Sequence, residues 1–80
     1  MENKDIKIII TFNTTADAFA IKKFAKKSHI EGRLITVPRE LSAGCGTAWM
    51  SPIDQKQALI DIIKQNNLYY EQLHEMSLNW

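Results

Sequence analysis

Apolar positions fall into four stretches with different periods, and the periods predict the elements. Ile6 to Phe12 is almost unbroken, with only Lys7 and Thr11 as polar interruptions. A β-branched run of that length reads as a strand covered on at least one face, central in its sheet. Asn13-Thr14-Thr15 ends it. Thr14 is placed to cap a helix, with Asp17 three residues on, where a carboxylate meets the positive end of the helix dipole.

That helix is expected from about Thr15 to about Ser28. At 100° per residue, Ala16, Ala18, Ala20, Ile21, Phe24 and Ala25 share one broad side. Lys22, Lys23, Lys26 and Lys27 take the other, with Phe19 among them. His29 to Gly32 closes the helix, Gly32 being the expected left-handed residue. Arg33 to Val37 alternates as a second strand, and Pro38 stops it or confines it to an edge. Pro38 to Gly46 is loop by composition, followed by a short third strand, Thr47 to Met50.

Ser51-Pro52-Ile53-Asp54 has the grammar of a helix start: a serine cap, proline at the first helical position, an acid at the third. The second helix then runs to about Gln65 on a stripe of Ala58, Leu59, Ile62 and Ile63, and Asn66-Asn67 stops it. Leu68 to Leu78 reads as the last strand. Strand, helix, strand, strand, helix, strand is most economically packed as an α+β domain. A small antiparallel sheet carries both helices on one face, in a ferredoxin-like βαββαβ order.

Size and charge narrow the function. Eighty residues make a single domain, 1–80, with a modest core. Ten Lys/Arg against nine Asp/Glu give a net charge of +1, which is no bulk footprint for nucleic acid. Ile8-Ile9-Ile10 is too short for a signal core or a membrane span, so a cytoplasmic protein is expected, away from membranes. With one cysteine there is no internal disulfide, and a reducing compartment follows.

That cysteine is Cys45, between Gly44 and Gly46. Structural thiols usually sit on an apolar helix or strand face. Two flanking glycines remove neighbouring side chains and free the backbone, so this sulfur is expected to be reachable. A thiol reacts as its thiolate, which a nearby cation or inward-pointing amides would favour. Arg39 and Arg33 are the available cations, and Ser42 is a hydrogen-bond donor. Glu40 is expected to point away. The competing view is that the glycines shape a turn and Cys45 is incidental.

Several chemistries are excluded or disfavoured. No second thiol can resolve a disulfide. A nucleophilic pair needs a nearby histidine, and only His29 and His74 exist, one at a helix end and one in the last strand. No short ligand spacing suggests a metal, and the glycine triplet is not a phosphate loop. A lone thiol can still carry a sulfur or selenium atom as a persulfide or selenosulfide and hand it on.

Residues Ile9 to Phe12, Thr14-Thr15 with Asp17-Ala18, Gly32 to Ile35 and above all Val37-Pro38-Arg39-Glu40-Leu41-Ser42-Ala43-Gly44-Cys45-Gly46 carry a resemblance. Over about Lys7 to Glu75 the chain resembles the small bacterial proteins of the selenium/sulfur carrier protein-like family. The resemblance implies a carrier rather than an enzyme, with Cys45 as carrier residue and Arg39, Ser42, Gly44 and Gly46 as its motif neighbours. It implies no cofactor, a cysteine desulfurase-like donor of sulfur or selenium, and an acceptor protein. The family pattern has an aliphatic residue where Thr47 stands here.

Two alternatives remain at this level: a non-catalytic interaction module, and a thiol enzyme using His29 or His74. The lysine side of the first helix reads as a solvated face, or else as a dock for an acidic partner or a phosphate-bearing molecule. Phe19 among those lysines is an interface candidate. Trp49 is expected in the core, the alternative being a wall beside the thiol. Tyr69, Tyr70 and Trp80 are candidates for a homodimer edge.

Overall fold

A computed structural model describes residues 6–39, 41 and 44–77. The elements are β1 (Ile6–Thr11), α1 (Thr15–Lys27), β2 (Arg33–Thr36), β3 (Thr47–Pro52), a 3₁₀ turn (Ile53–Gln55), α2 (Lys56–Gln65) and β4 (Gln72–Ser77). The strands form one sheet in the order β2-β3-β1-β4, and every neighbouring pair is antiparallel. This is the expected ferredoxin-like α+β arrangement.

Strand alternation divides the sheet into two faces. Ile8, Ile10 and Phe12 meet Trp49 of β3, Ala18, Ile21 and Ala25 of α1, and Leu59, Ile62 and Ile63 of α2 in the main core. Both helices therefore lie on one face. Ile9, Ala48 and Met50 form a second cluster on the helix-free face, with Ile35, Val37, Leu41 and Met76 packed against it. Lys7 and Thr11, the polar interruptions of β1, belong to that second face, and both are buried.

The helix ends follow from local chemistry. The Asp17 amide donates to the Thr14 hydroxyl at 3.2 Å, the expected cap. At the other end of α1, His29 takes φ 59°, the Ile30 amide donates to Ala25 O at 2.8 Å, and the His29 amide donates to Lys26 O at 3.2 Å. That pairing is a Schellman closure, with buried Ile30 as its apolar contact. The left-handed residue is thus His29, not Gly32. α2 ends the same way, with Asn67 at φ 52° and the Leu68 amide on Ile63 O.

Gly32 has a different duty. A Cβ there would stand 2.5 Å from Met50 O, 2.5 Å from Ser51 Oγ and 2.6 Å from Trp49 Cζ2. The backbone of the α1–β2 turn lies directly on β3, and only hydrogen fits.

Ser51 corrects the expected start of the second helix. It lies inside β3, fully buried. Trp49 Nε1 donates to its hydroxyl at 2.7 Å, and that hydroxyl donates to Glu31 O at 2.7 Å. The serine is a core bridge between β3 and the turn after α1. Helical structure begins at Ile53, and the α-helix at Lys56. β3 is consequently six residues long rather than a short strand. β4 also starts later than expected, at Gln72, leaving Tyr69 and Tyr70 in the exposed connection before it.

Candidate functional site: the Cys45 loop

β2 leaves the sheet at Thr36 and β3 enters it at Thr47, paired to Thr36. The connection between them carries the whole candidate motif. The Val37 amide donates to Gly46 O at 3.1 Å, which closes the loop at its base. A turn follows, with the Leu41 amide on Pro38 O at 3.0 Å. Val37 and Leu41 pack on the helix-free cluster, whereas Cys45 packs on the helix-side core. The loop therefore passes from one face of the sheet to the other, and the thiol stands on the helix side of the sheet's end.

Each glycine has its own reason. Gly46 has φ +76°, a left-handed conformation that L side chains rarely adopt, in open space. Gly44 is fixed by proximity instead: a Cβ there would stand 3.3 Å from Asn13 O. Asn13 links β1 to the cap of α1, so Gly44 seats the thiol loop beside the amino-terminal end of that helix. The sequence identified both glycines, and the structure separates their roles.

An alanine at position 46 should therefore cost about 1–2 kcal/mol, the usual penalty of the left-handed region for an L residue. Asparagine, which tolerates that region, should recover part of it. Equilibrium unfolding of the two variants, together with amide exchange at Val37, measures the effect. A Gly46→Ala protein as stable as the parent, with Val37 equally protected, would contradict the conformational account.

Cys45 is a free thiol of intermediate exposure, neither sealed in the core nor fully solvated. Its Sγ donates a hydrogen bond to Thr47 O at 3.4 Å. The partner is a main-chain oxygen, so the thiol's setting does not depend on the Thr47 side chain. Arg39 is exposed, and among the described residues no hydrogen bond or ion pair joins it to the sulfur. Arg33 sits at the far end of β2, opposite Met50. Ser42 and Glu40 lie outside the described residues.

The histidines lie elsewhere. His29 follows the carboxyl end of α1, and thirteen residues of helix, about 20 Å, separate that end from the one Gly44 touches. His74 is directly opposite Ile9 in the β1–β4 ladder, hence on the helix-free face, and its Nε2 lies 2.8 Å from Gln72 Oε1. Neither ring is brought to Cys45, which removes the geometric basis for a Cys–His pair. Among the described residues, no group of His, Cys, Asp and Glu could hold a metal ion, and no helix is long and apolar enough to cross a membrane.

Sequence reasoning missed a feature away from the thiol. Between α1 and β2 lies a cleft of about 340 Å³, with Lys22, Lys26 and Arg33 around Ile30, Leu34 and Trp49. Trp49 is 3% exposed, in the core as expected, and it floors this cleft instead of walling the thiol.

Fold and site together define a small α+β module that presents a single thiol on a loop at the end of its sheet. The family model described as "Putative Se/S carrier protein-like" matches residues 7–75, nearly the whole chain, and the protein belongs to that family. No curated protein and no solved structure matches it.

Proposed function

We propose that Cys45 is a carrier thiol, loaded with one sulfur or selenium atom by a donor protein and unloaded to an acceptor. The observation that carries this reading is the position of the thiol. Cys45 is part-exposed on a loop braced by Val37–Gly46 and seated on Asn13, in a chain with no second cysteine and of the Se/S carrier-like family. A carrier needs a nucleophile that a partner can reach and a loop that tolerates an added atom. It needs no deep pocket.

The loading step is a redox-neutral exchange. The Cys45 thiolate attacks the terminal sulfur of a donor cysteine persulfide. A new S–S bond forms at Cys45 as the donor's S–S bond breaks, and the donor leaves as a thiolate. The thiol first gives up its proton to solvent and its hydrogen bond to Thr47 O. A donor carrying selenium reacts in the same way, leaving a selenosulfide. The unloading step is the same exchange with an acceptor thiolate. A cysteine desulfurase-like enzyme is the donor class this chemistry calls for. A reducing compartment keeps the unloaded thiol free.

Incubation with such a donor and its substrate should raise the intact mass by one sulfur or selenium atom, reversed by dithiothreitol. The Cys45→Ser protein should gain nothing. Its unfolding midpoint should stay close to that of the parent, since serine retains a donor for Thr47 O. An unmodified wild-type protein, or an equal adduct on Cys45→Ser, would overturn the carrier reading.

A further inference from the structure

The cleft between α1 and β2 joins three features that the thiol site does not use. Its rim is cationic. Lys22 and Lys26 stand one helical turn apart on α1, Arg33 begins β2, and no acidic residue is among the side chains that line it. Its floor is apolar, built from Ile30, Leu34 and Trp49. Its wall is an edge strand, since β2 ends the sheet and pairs only with β3.

Phe19 extends the rim. It is 53% exposed, and the Lys22 ammonium lies 5.8 Å from its ring centre. An exposed aromatic ring beside cations is the composition that marks binding surfaces. The chain as a whole is nearly neutral, at +1. The positive cleft is therefore a local arrangement rather than a by-product of bulk charge.

We propose that this cleft docks an extended, acidic segment of a partner protein, added alongside β2. Charge complementarity selects carboxylates on one side of the segment for Lys22, Lys26 and Arg33. Alternation places its apolar side chains on Leu34 and the Trp49 floor, while its main chain meets the β2 edge. A compact anion would use the lysines but would leave the apolar floor and the strand edge unoccupied. Direction matters as well. β2 runs from the cleft at Arg33 to Thr36, and its next residue, Val37, closes the Cys45 loop. A segment held along β2 is thereby led toward the thiol.

This docking stands apart from the thiol chemistry, so the two can fail separately. The test titrates the ¹⁵N-labelled full chain with an end-blocked peptide, Glu-Val-Glu-Val-Glu-Val, and follows amide shifts. Expected are saturable shifts at Lys22, Lys26, Arg33 to Thr36 and the Trp49 indole. Affinity should fall about tenfold or more in a Lys22→Glu/Lys26→Glu variant, and in the same direction, less steeply, in the Lys22→Gln/Lys26→Gln pair. Cys45→Ser should bind the peptide as the parent does. No shifts at millimolar peptide would overturn the proposal. So would shifts spread equally over Lys23 and Lys27, or equal binding of the Lys-Val counterpart. Two other occupants are also tested: inorganic phosphate or citrate reproducing the full shift pattern would make this a small-anion site. Concentration-dependent shifts at the same residues without peptide would make it a contact between two copies.

Discussion

Replacing Gly32 by alanine is expected to be among the most damaging single-methyl additions in the chain. The new carbon would stand 2.5 Å from both Met50 O and Ser51 Oγ, and 2.6 Å from Trp49 Cζ2. One of those atoms is backbone in a strand between two others, so relief must come from lifting the α1–β2 turn away from β3. Lifting it also breaks the bond between Ser51 Oγ and Glu31 O, at the residue before Gly32. Overpacking costs about 1–3 kcal/mol. An unsatisfied buried polar group adds about 1–3 kcal/mol. A loss near 3 kcal/mol or more would lower the melting temperature by more than about 12 °C in a domain of this size. Thermal unfolding followed by Trp49 fluorescence in a Trp80→Phe background measures it. A Gly32→Ala protein within about 1 kcal/mol of the parent would refute the close approach of turn and strand.

Phe12→Ala should be comparably severe, for the opposite reason. Phe12 is fully buried and heads the group of largest sealed side chains. Truncating a buried phenylalanine to alanine costs about 3–5 kcal/mol. Stability for a chain of this length is expected at about 4–12 kcal/mol, from 0.05–0.15 kcal/mol per residue. The variant should therefore be marginally folded or unfolded at 37 °C. Phe12 also precedes Asn13, against which Gly44 rests. A Phe12→Leu protein, which refills much of the cavity, should remain folded but show faster alkylation of Cys45, because the seat of the loop has loosened. If alkylation is unchanged while stability falls, the core and the thiol loop are uncoupled and the bracing argument is wrong.

Much of the architecture is legible in the sequence because it is locally specified. The Thr14 cap, the apolar run of β1 and the stripe of α2 each follow from residues close together. The errors arise where distant residues decide. Ser51-Pro52-Ile53-Asp54 is good cap grammar, yet Ser51 is claimed by Trp49 Nε1 and Glu31 O, and the latter lies twenty residues away. Gly32 looks like a helix terminator because glycine often is one, but the Schellman bonds select His29. What makes Gly32 indispensable is β3, which no local window contains. The thiol was legible, flanking glycines included, since the motif is contiguous. The cationic cleft was not, because its Trp49 floor is brought beneath Lys22, Lys26 and Arg33 only by the pairing of β3 with β2.

The position of β1 in the sheet sets an order of events during synthesis. β1 is the first strand made, yet one of its neighbours is β4, whose Gln72 hydrogen-bonds with Thr11 across 61 residues. Until the ribosome has released the chain past Ser77, one whole edge of β1 is unsatisfied. The Phe12–Asn13 corner beneath the Cys45 loop is then held from one side only. Such long-range closure is slow compared with helix formation. The nascent polypeptide should thus display its thiol before it can display it correctly, and competence for group transfer arrives with the last strand.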